Sequence, residues 1–582
     1  MAKKTKPTRI LLRWSQQVQL SNAQDPLGLG LRGSTRLANR LLYCITSITP
    51  RARYFSFILW CVHDYQQREK GKAYGFGLED AIALRERALT LGCIAHHDGE
   101  ACKGGDLVGS REARKWYAKN RDDADFKKLR FARVPAFKAY YRSLANLHCF
   151  LTDDDVAAAD DAELETRTID DLELSPFGQQ LADAYGSLVG RLSSVRQVGE
   201  RQRRCAVHNL AEWGKRGGLC ELTEDSAPDR RLLRDMFLSH GDEKVESHSV
   251  RRQSLLLLLD LCRQLSADDW ILNEPAFATG VYFGKIVTDE DRLTVEWPAP
   301  LVDIATRWRM FYFHHFMSVA LEGMFSWLIS QVSDKGLSGA TVESLTEGLD
   351  SATVRTALAD RFDVKIKGKF GKTSPMDFFA SFGITASELT GETSRQIEDA
   401  ITQDSPIAEN WLEELIRDNT YRQSPVGLAV PMILLGLTLG RYTYWQKTRY
   451  GDWLAGAAKD PFLDLIPPVL TDGLTRRFGN WWKASWTELA TFVLSRYVVR
   501  QHIAMSYERT AAGNRCLLQV DGEKVISSAS NDKIGMGNPR FRSAVRILKD
   551  LALMEDTDEG ISVLTEDGRQ FLDAEVAKEA AK

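Results

Sequence analysis

Two clusters in this chain combine thiols with imidazoles. Cys93-x2-His96-His97 is followed by Cys102, and Cys205-x2-His208 by Cys220. Zinc takes four nitrogen or sulfur ligands in a tetrahedron, and pairs at this spacing supply two each. The competing reading is that each cysteine is a small apolar group, since Leu91-Gly92-Cys93-Ile94-Ala95 reads as a helix end in a core. Acid–base chemistry has one candidate pair in Arg309-x4-His314, and Arg142-x5-His148 fits the same loose spacing. Asp363-Val364-Lys365, with Asp360 or Asp350 as a further carboxylate, has the residue types that hold Mg²⁺ beside a phosphate. The Gly28, Gly30, Gly33 loop lacks the Gly-Lys-Ser/Thr ending of a phosphate loop, and no Ser-His-Asp set or dinucleotide fingerprint is present. No catalytic residue, metal or cofactor is assigned on this basis.

Cations at regular spacing are the stronger signal. Arg542, Arg546 and Lys549 recur at i, i+4 and i+7 and share one helix face, with Arg540 just before them. Arg32, Arg36 and Arg40 sit four apart, opposite Leu37, Leu41 and Leu42. Arg51 and Arg53 lie beside Tyr54 and Phe55, and arginine next to an exposed aromatic grips a backbone and stacks on bases. Arginine stems also cover the cores of helical bundles. Lys127, Lys128 and Arg130 belong to a basic stretch from Arg111 to Arg142, interleaved with Trp116, Tyr117, Phe126, Phe131, Phe137 and Tyr140. An acidic segment, Asp153 to Glu173, follows it and marks a shield or a boundary. All twelve cations (Arg32, Arg36, Arg40, Arg51, Arg53, Lys127, Lys128, Arg130, Arg540, Arg542, Arg546 and Lys549) are candidate nucleic-acid contacts.

The elements that position the last of these follow in a distinctive order. Ser485 and Glu488 have capping-box spacing, and Leu489, Phe492, Val493, Tyr497 and Val498 form one apolar stripe. Arg515 to Val520 and Glu523 to Ile526 pair as a short ribbon. Asn538-Pro539 reads as cap and first position of a helix carrying Phe541, Val545, Leu548 and Leu551. Leu553 and Met554 start a strand, Glu555 to Gly560 turn, Ile561 to Leu564 return, and Thr565 caps a last helix. Asn538 to Leu572, about a tenth of the chain, resembles the second half of the winged-helix domains of prokaryotic DNA-binding proteins. That resemblance implies that the basic helix enters a major groove with the hairpin tip near the backbone. The tip is acidic here (Glu555, Asp556, Asp558, Glu559), which phosphates repel, so a protein-binding winged helix is the competing reading. Arg309-x4-His314 resembles the signature of the all-helical HEPN ribonucleases, with Met310 where a polar residue is usual. Asp363-Val364-Lys365 resembles half of a restriction-enzyme motif, without its strands.

Composition bounds the rest. The 582 residues are too many for one core, and 44% apolar with 27% charged residues is ordinary for a globular protein. A net charge of −3 gives no global attraction to nucleic acid, so binding must come from local patches. Nine cysteines without regular spacing fit reduced thiols in a cytosol. Val426 to Gly440 and Phe311 to Val332 are apolar, but the first is short and holds Pro431, while the second holds His314, His315 and Glu322. Both read as buried helices rather than membrane spans. The expected fold is mainly α: a multidomain helical body with a few β-hairpins and a terminal winged helix. The expected segments are 1–150, 151–335, 336–425, 426–484 and 485–582. The expected function is non-enzymatic recognition of DNA, or RNA, within a cytoplasmic prokaryotic assembly such as a phage-defence or mobile-element system, with protein partners and no membrane. An effector nuclease and a protein-interaction scaffold are the alternatives.

Overall fold

The computed structural model describes the chain apart from residues 1–24, 26, 69–76, 101–106, 127–128, 130, 132–135, 152–171, 201, 203, 221, 223–226, 240–245, 288–290, 336–337, 386–400, 425, 446–466, 509–515, 528–534, 536 and 582. It is mainly helical, and its strands form only two- or three-stranded antiparallel sheets. None of its described helices is long and apolar enough to cross a membrane.

The chain divides into two compact units, each built from two separated segments. One comprises Met1–Thr35 with Phe313–Gly537, the other Arg36–Tyr312 with Asn538–Lys582. This is a different partition from five consecutive segments. Residues 485–537 and 538–582, expected together as one winged-helix module, fall in different units.

The first unit is organised on the part of the Val302–Ser333 helix that follows Tyr312. Phe313 to Ile329 is buried on all sides, which explains a stretch that is apolar all round. The Ala429–Trp445 helix is equally buried, and Pro431 falls in its first turn, where a missing N–H is harmless. Ser485 and Glu488 form the expected capping box at the start of Trp486–Val493, which continues through a π-helical turn, Leu494–Val499, into Arg500–Glu508. The ribbon pairs Gln519–Asp521 with Lys524–Ile526 and gains a third strand, Ala340–Thr341, from far upstream.

In the second unit the Leu78–His96 and Val207–Gly217 helices cross at backbone contact. A Cβ at Gly214 would lie 2.2 Å from the Gly92 carbonyl oxygen, and one at Gly92 would lie 2.3 Å from that of Leu210. Lys285–Val287 pairs with Arg292–Thr294 in a short hairpin that follows the Glu274–Phe283 helix. The carboxyl-terminal hairpin is also as expected: Met554–Asp556 pairs with Ser562–Leu564, and Thr565 caps Glu566–Ala580 by accepting from the Gly568 N–H. The helix before it begins later than Asn538-Pro539 implied. Asn538 accepts from the Arg540 N–H, Arg540 turns through a left-handed conformation (φ 57°), and the helix runs Phe541–Asp550.

Candidate nucleic-acid interface

The Phe541–Asp550 helix is held by Phe541, Ala544, Val545, Ile547 and Leu548, and Phe541 stacks near Phe277. Seven of its ten residues are buried, so only a narrow strip reaches solvent. Arg542 on that strip is exposed, and Arg546 and Lys549 are half-buried and already engaged. Lys549 Nζ donates to the Asp556 carboxylate at the base of the hairpin, and this cation draws Asp556 below its ordinary range against the effect of burial. The hairpin tip, Glu555 to Gly560, is exposed throughout.

Several candidate contacts are turned inward. Arg540 donates to the carbonyl oxygens of Ile45 (2.6 Å) and Leu42 and to the Asn39 side chain, and burial lowers its pKa to about 10. Arg51 and Arg53 are 2% and 1% exposed, so neither is available to a phosphate in this fold. Arg51 pairs with Asp550 at 3.0 Å. Arg53 makes a fork to both oxygens of Asp229 at 3.1 and 2.9 Å, and Ser56 Oγ donates to the same carboxylate. These carboxylates offset the cost of burying the two guanidiniums, and partners so remote leave no sign in the sequence spacing. Of Arg32, Arg36 and Arg40, the first two are half-buried and already engaged, and Arg40 is exposed. Lys127, Lys128 and Arg130 lie outside the described residues. The aromatics around them, Tyr117, Phe126, Phe131, Phe137 and Tyr140, are buried, so they are core side chains and not stacking platforms.

The glycine loop at Asp25 has its own anion. The Asp25 carboxylate accepts from the N–H groups of Gly28, Leu29, Gly30 and Arg32 at 2.8–3.3 Å. A side chain fills the concavity where a phosphate loop would hold its ligand.

The catalytic constellations are dispersed. His314 is 4% exposed, burial alone lowers its pKa to about 4, and Arg309 Nε donates to the Val281 carbonyl. Asp363 is the left-handed cap of the Ala352–Phe362 helix, so Asp363 and Lys365 line an open cleft with Arg355 and Asp360 and no strand carries them. The thiol–imidazole pairs regroup: His97 Nε2 lies 3.3 Å from Cys220 Sγ, Cys205 donates to Gln197, and His208 is exposed. Among the described residues no group of three or more His, Cys, Asp or Glu could hold a metal ion. Cys102 lies outside them.

One polar cluster was visible in the sequence only as interruptions of an apolar run. In the first unit His315, Ser318 and Glu322 share a face of the Val302–Ser333 helix. His315 Nε2 meets Glu413 Oε1 at 2.9 Å, and its Nδ1 accepts from the Gly537 N–H at 3.2 Å. Arg417 also pairs with Glu413, at 2.7 Å. Burial alone would raise Glu413, but the hydrogen bond from His315 and the hydrogen-bonded Arg417 guanidinium bring it down to about 2. Glu322 is 1% exposed; one oxygen accepts from the Gly535 N–H, and among the described residues the other has no hydrogen-bond partner, nor has Ser318 Oγ. Burial raises the Glu322 carboxyl to about 8. Comparison of the chain with family models, with curated proteins and with solved structures gives no match.

Proposed function

We propose that this chain is a non-catalytic nucleic-acid-binding protein of the cytosol that contacts the phosphate backbone and acts together with protein partners. The observation that carries the reading is the exposed Arg542, with the half-buried Arg546 one turn on, on a helix that leads directly into a hairpin. The extent of burial of that helix favours backbone contact over base reading, because a helix that reads bases in a groove ~12 Å wide presents several exposed side chains to it, and here only Arg542 is exposed. The eight described cysteines are unbridged, which supports a reducing compartment.

The test is an electrophoretic shift with duplex DNA, single-stranded DNA and RNA across a salt series, with and without Mg²⁺. Each phosphate contact steepens the dependence of log K on log salt by ~0.9 for duplex DNA, so Arg542→Glu with Arg546→Glu should lower the slope by about 2 and abolish most binding. A double variant that binds like the parent sinks the strip as the contact. Cleavage by the parent sinks the non-catalytic reading. The exposed acidic tip favours a second reading, a protein-binding scaffold, and a parent that shifts no nucleic acid selects it.

A further inference from the structure

The second unit brings together a thiol, an imidazole and a buried guanidinium that the proposed nucleic-acid contact does not use. His97 follows the Leu78–His96 helix and is half-buried, and Cys220 lies just beyond the Val207–Gly217 helix with 9% of its surface exposed. Their 3.3 Å contact joins a half-buried imidazole to a nearly buried sulfur. Two arginines fix the backbone leading to the sulfur. Arg53 Nη1 donates to the Gly218 carbonyl at 2.9 Å, and Arg51 Nη2 donates to that of Leu219, the residue preceding Cys220. Asp229 answers Arg53 on two nitrogens. Arg51 is answered by Asp550 at Nε, but its buried Nη1 has no hydrogen-bond acceptor among the described residues. A buried cationic N–H without an acceptor is costly, and in most folds an oxygen sits opposite it.

We propose that Cys220, with His97 and Arg51, is a peroxide-reactive thiol site. His97 Nε2 takes the thiol proton, and the sulfur lone pair attacks the terminal oxygen of a hydroperoxide. The S–O bond forms as the O–O bond breaks. The departing alkoxide or hydroxide receives the proton from His97, leaving a sulfenic acid and an alcohol or water. Sulfur is oxidised by two electrons and the peroxide is reduced by two. The Arg51 and Arg53 guanidiniums are electrostatically coupled to the sulfur and favour the thiolate that attacks. Sulfur beside cationic N–H groups is where thiolate reactivity concentrates. Among the described thiols, burial raises Cys44 and Cys262 to about 12 and Cys205 to about 11, and Cys61 and Cys149 also rise.

Cys516, the exposed described cysteine, supplies an internal control. The folded full chain is treated with one equivalent of hydrogen peroxide, sulfenic acid is trapped with a dimedone reagent, and each cysteine peptide is quantified by mass spectrometry. Cys220 should carry roughly tenfold more label than Cys516 although it is far less exposed. His97→Gln should remove that excess while leaving Cys516 labelling and circular dichroism unchanged. The proposal is overturned if Cys516 labels as much as Cys220, if Cys220 labels only in denaturant, or if His97→Gln keeps the excess. It is overturned equally if the purified protein holds stoichiometric zinc that Cys220→Ser releases. Should His97→Gln fail to fold, the comparison of Cys220 with Cys516 in the parent decides alone.

Discussion

Replacing Glu322 by glutamine isolates the cost of burying an acid. In the folded first unit this carboxyl keeps its proton to about pH 8, whereas a free glutamate loses it near 4.5. Between those values the folded chain holds a proton that the unfolded chain has released, so stability falls as pH rises. The contribution of Glu322 is fully present below about 4.5 and is gone by about 8. At ~1.4 kcal/mol per pH unit the loss reaches about 3 kcal/mol at pH 7. Glutamine cannot ionise, yet its amide oxygen still accepts from the Gly535 N–H. Glu322→Gln should therefore be nearly level with the parent around pH 5 and more stable by about 3 kcal/mol at pH 7, with the gap still widening toward pH 8. Glu413 acts in the opposite sense: its carboxyl is lowered to about 2, so its contribution is present above 4.5 and lost as the solution is acidified. Together the two groups place the parent's optimum near pH 5, and the variant should move it toward neutrality. Hydrogen exchange of peptides from Phe313 to Ser333, measured at pH 5, 6, 7 and 8 with intrinsic-rate correction, reports opening of the first unit. A difference between parent and variant that stays constant from pH 5 to 8 would refute the protonated, buried state of Glu322.

Two further outcomes test the second unit. Asp229→Ala leaves the Arg53 charge buried and should cost about 3–5 kcal/mol in urea unfolding. The pair Arg53→Met with Asp229→Leu should recover most of it, because an apolar pair of similar volume removes both desolvation costs. If the single and double variants are equally destabilised, packing rather than charge pairing explains the site. Gly214→Ala places a methyl group 2.2 Å from the Gly92 oxygen, so the two helices must separate. A melting temperature within a degree or two of the parent's would show that the crossing is looser than described.

Much of the fold was legible because it rests on local chemistry. The Ser485–Glu488 box, the Thr565 cap and the Met554–Leu564 hairpin depend on residues within a few positions of one another, and each is where spacing put it. The buried Phe313–Ile329 stretch announces itself by being apolar on every side. Failures came where a distant partner decides. Arg51 and Arg53 look like surface cations until Asp550 and Asp229 are seen opposite them. Asn538 has the chemistry of a cap, but Arg540 is drawn to the carbonyls of Leu42 and Ile45, and the helix starts after that turn. The five expected segments followed composition along the chain, whereas both units close through segments hundreds of residues apart. His97 and Cys220 belonged to different motifs in the sequence and meet only because two glycines let their helices touch.

The ion pair between Arg51 and Asp550 joins residues 499 positions apart, and this sets an order of events during synthesis. At ~5–20 residues per second a ribosome takes roughly half a minute or longer to deliver the aspartate after the arginine has emerged. Throughout that interval the nascent second unit owns a guanidinium meant for its interior with no counter-charge to meet it. Premature docking of Arg51 is thus penalised until the final helices arrive. A chain broken off before Asp550 is left with an unpaired charge in its core, a natural mark for proteolytic clearance.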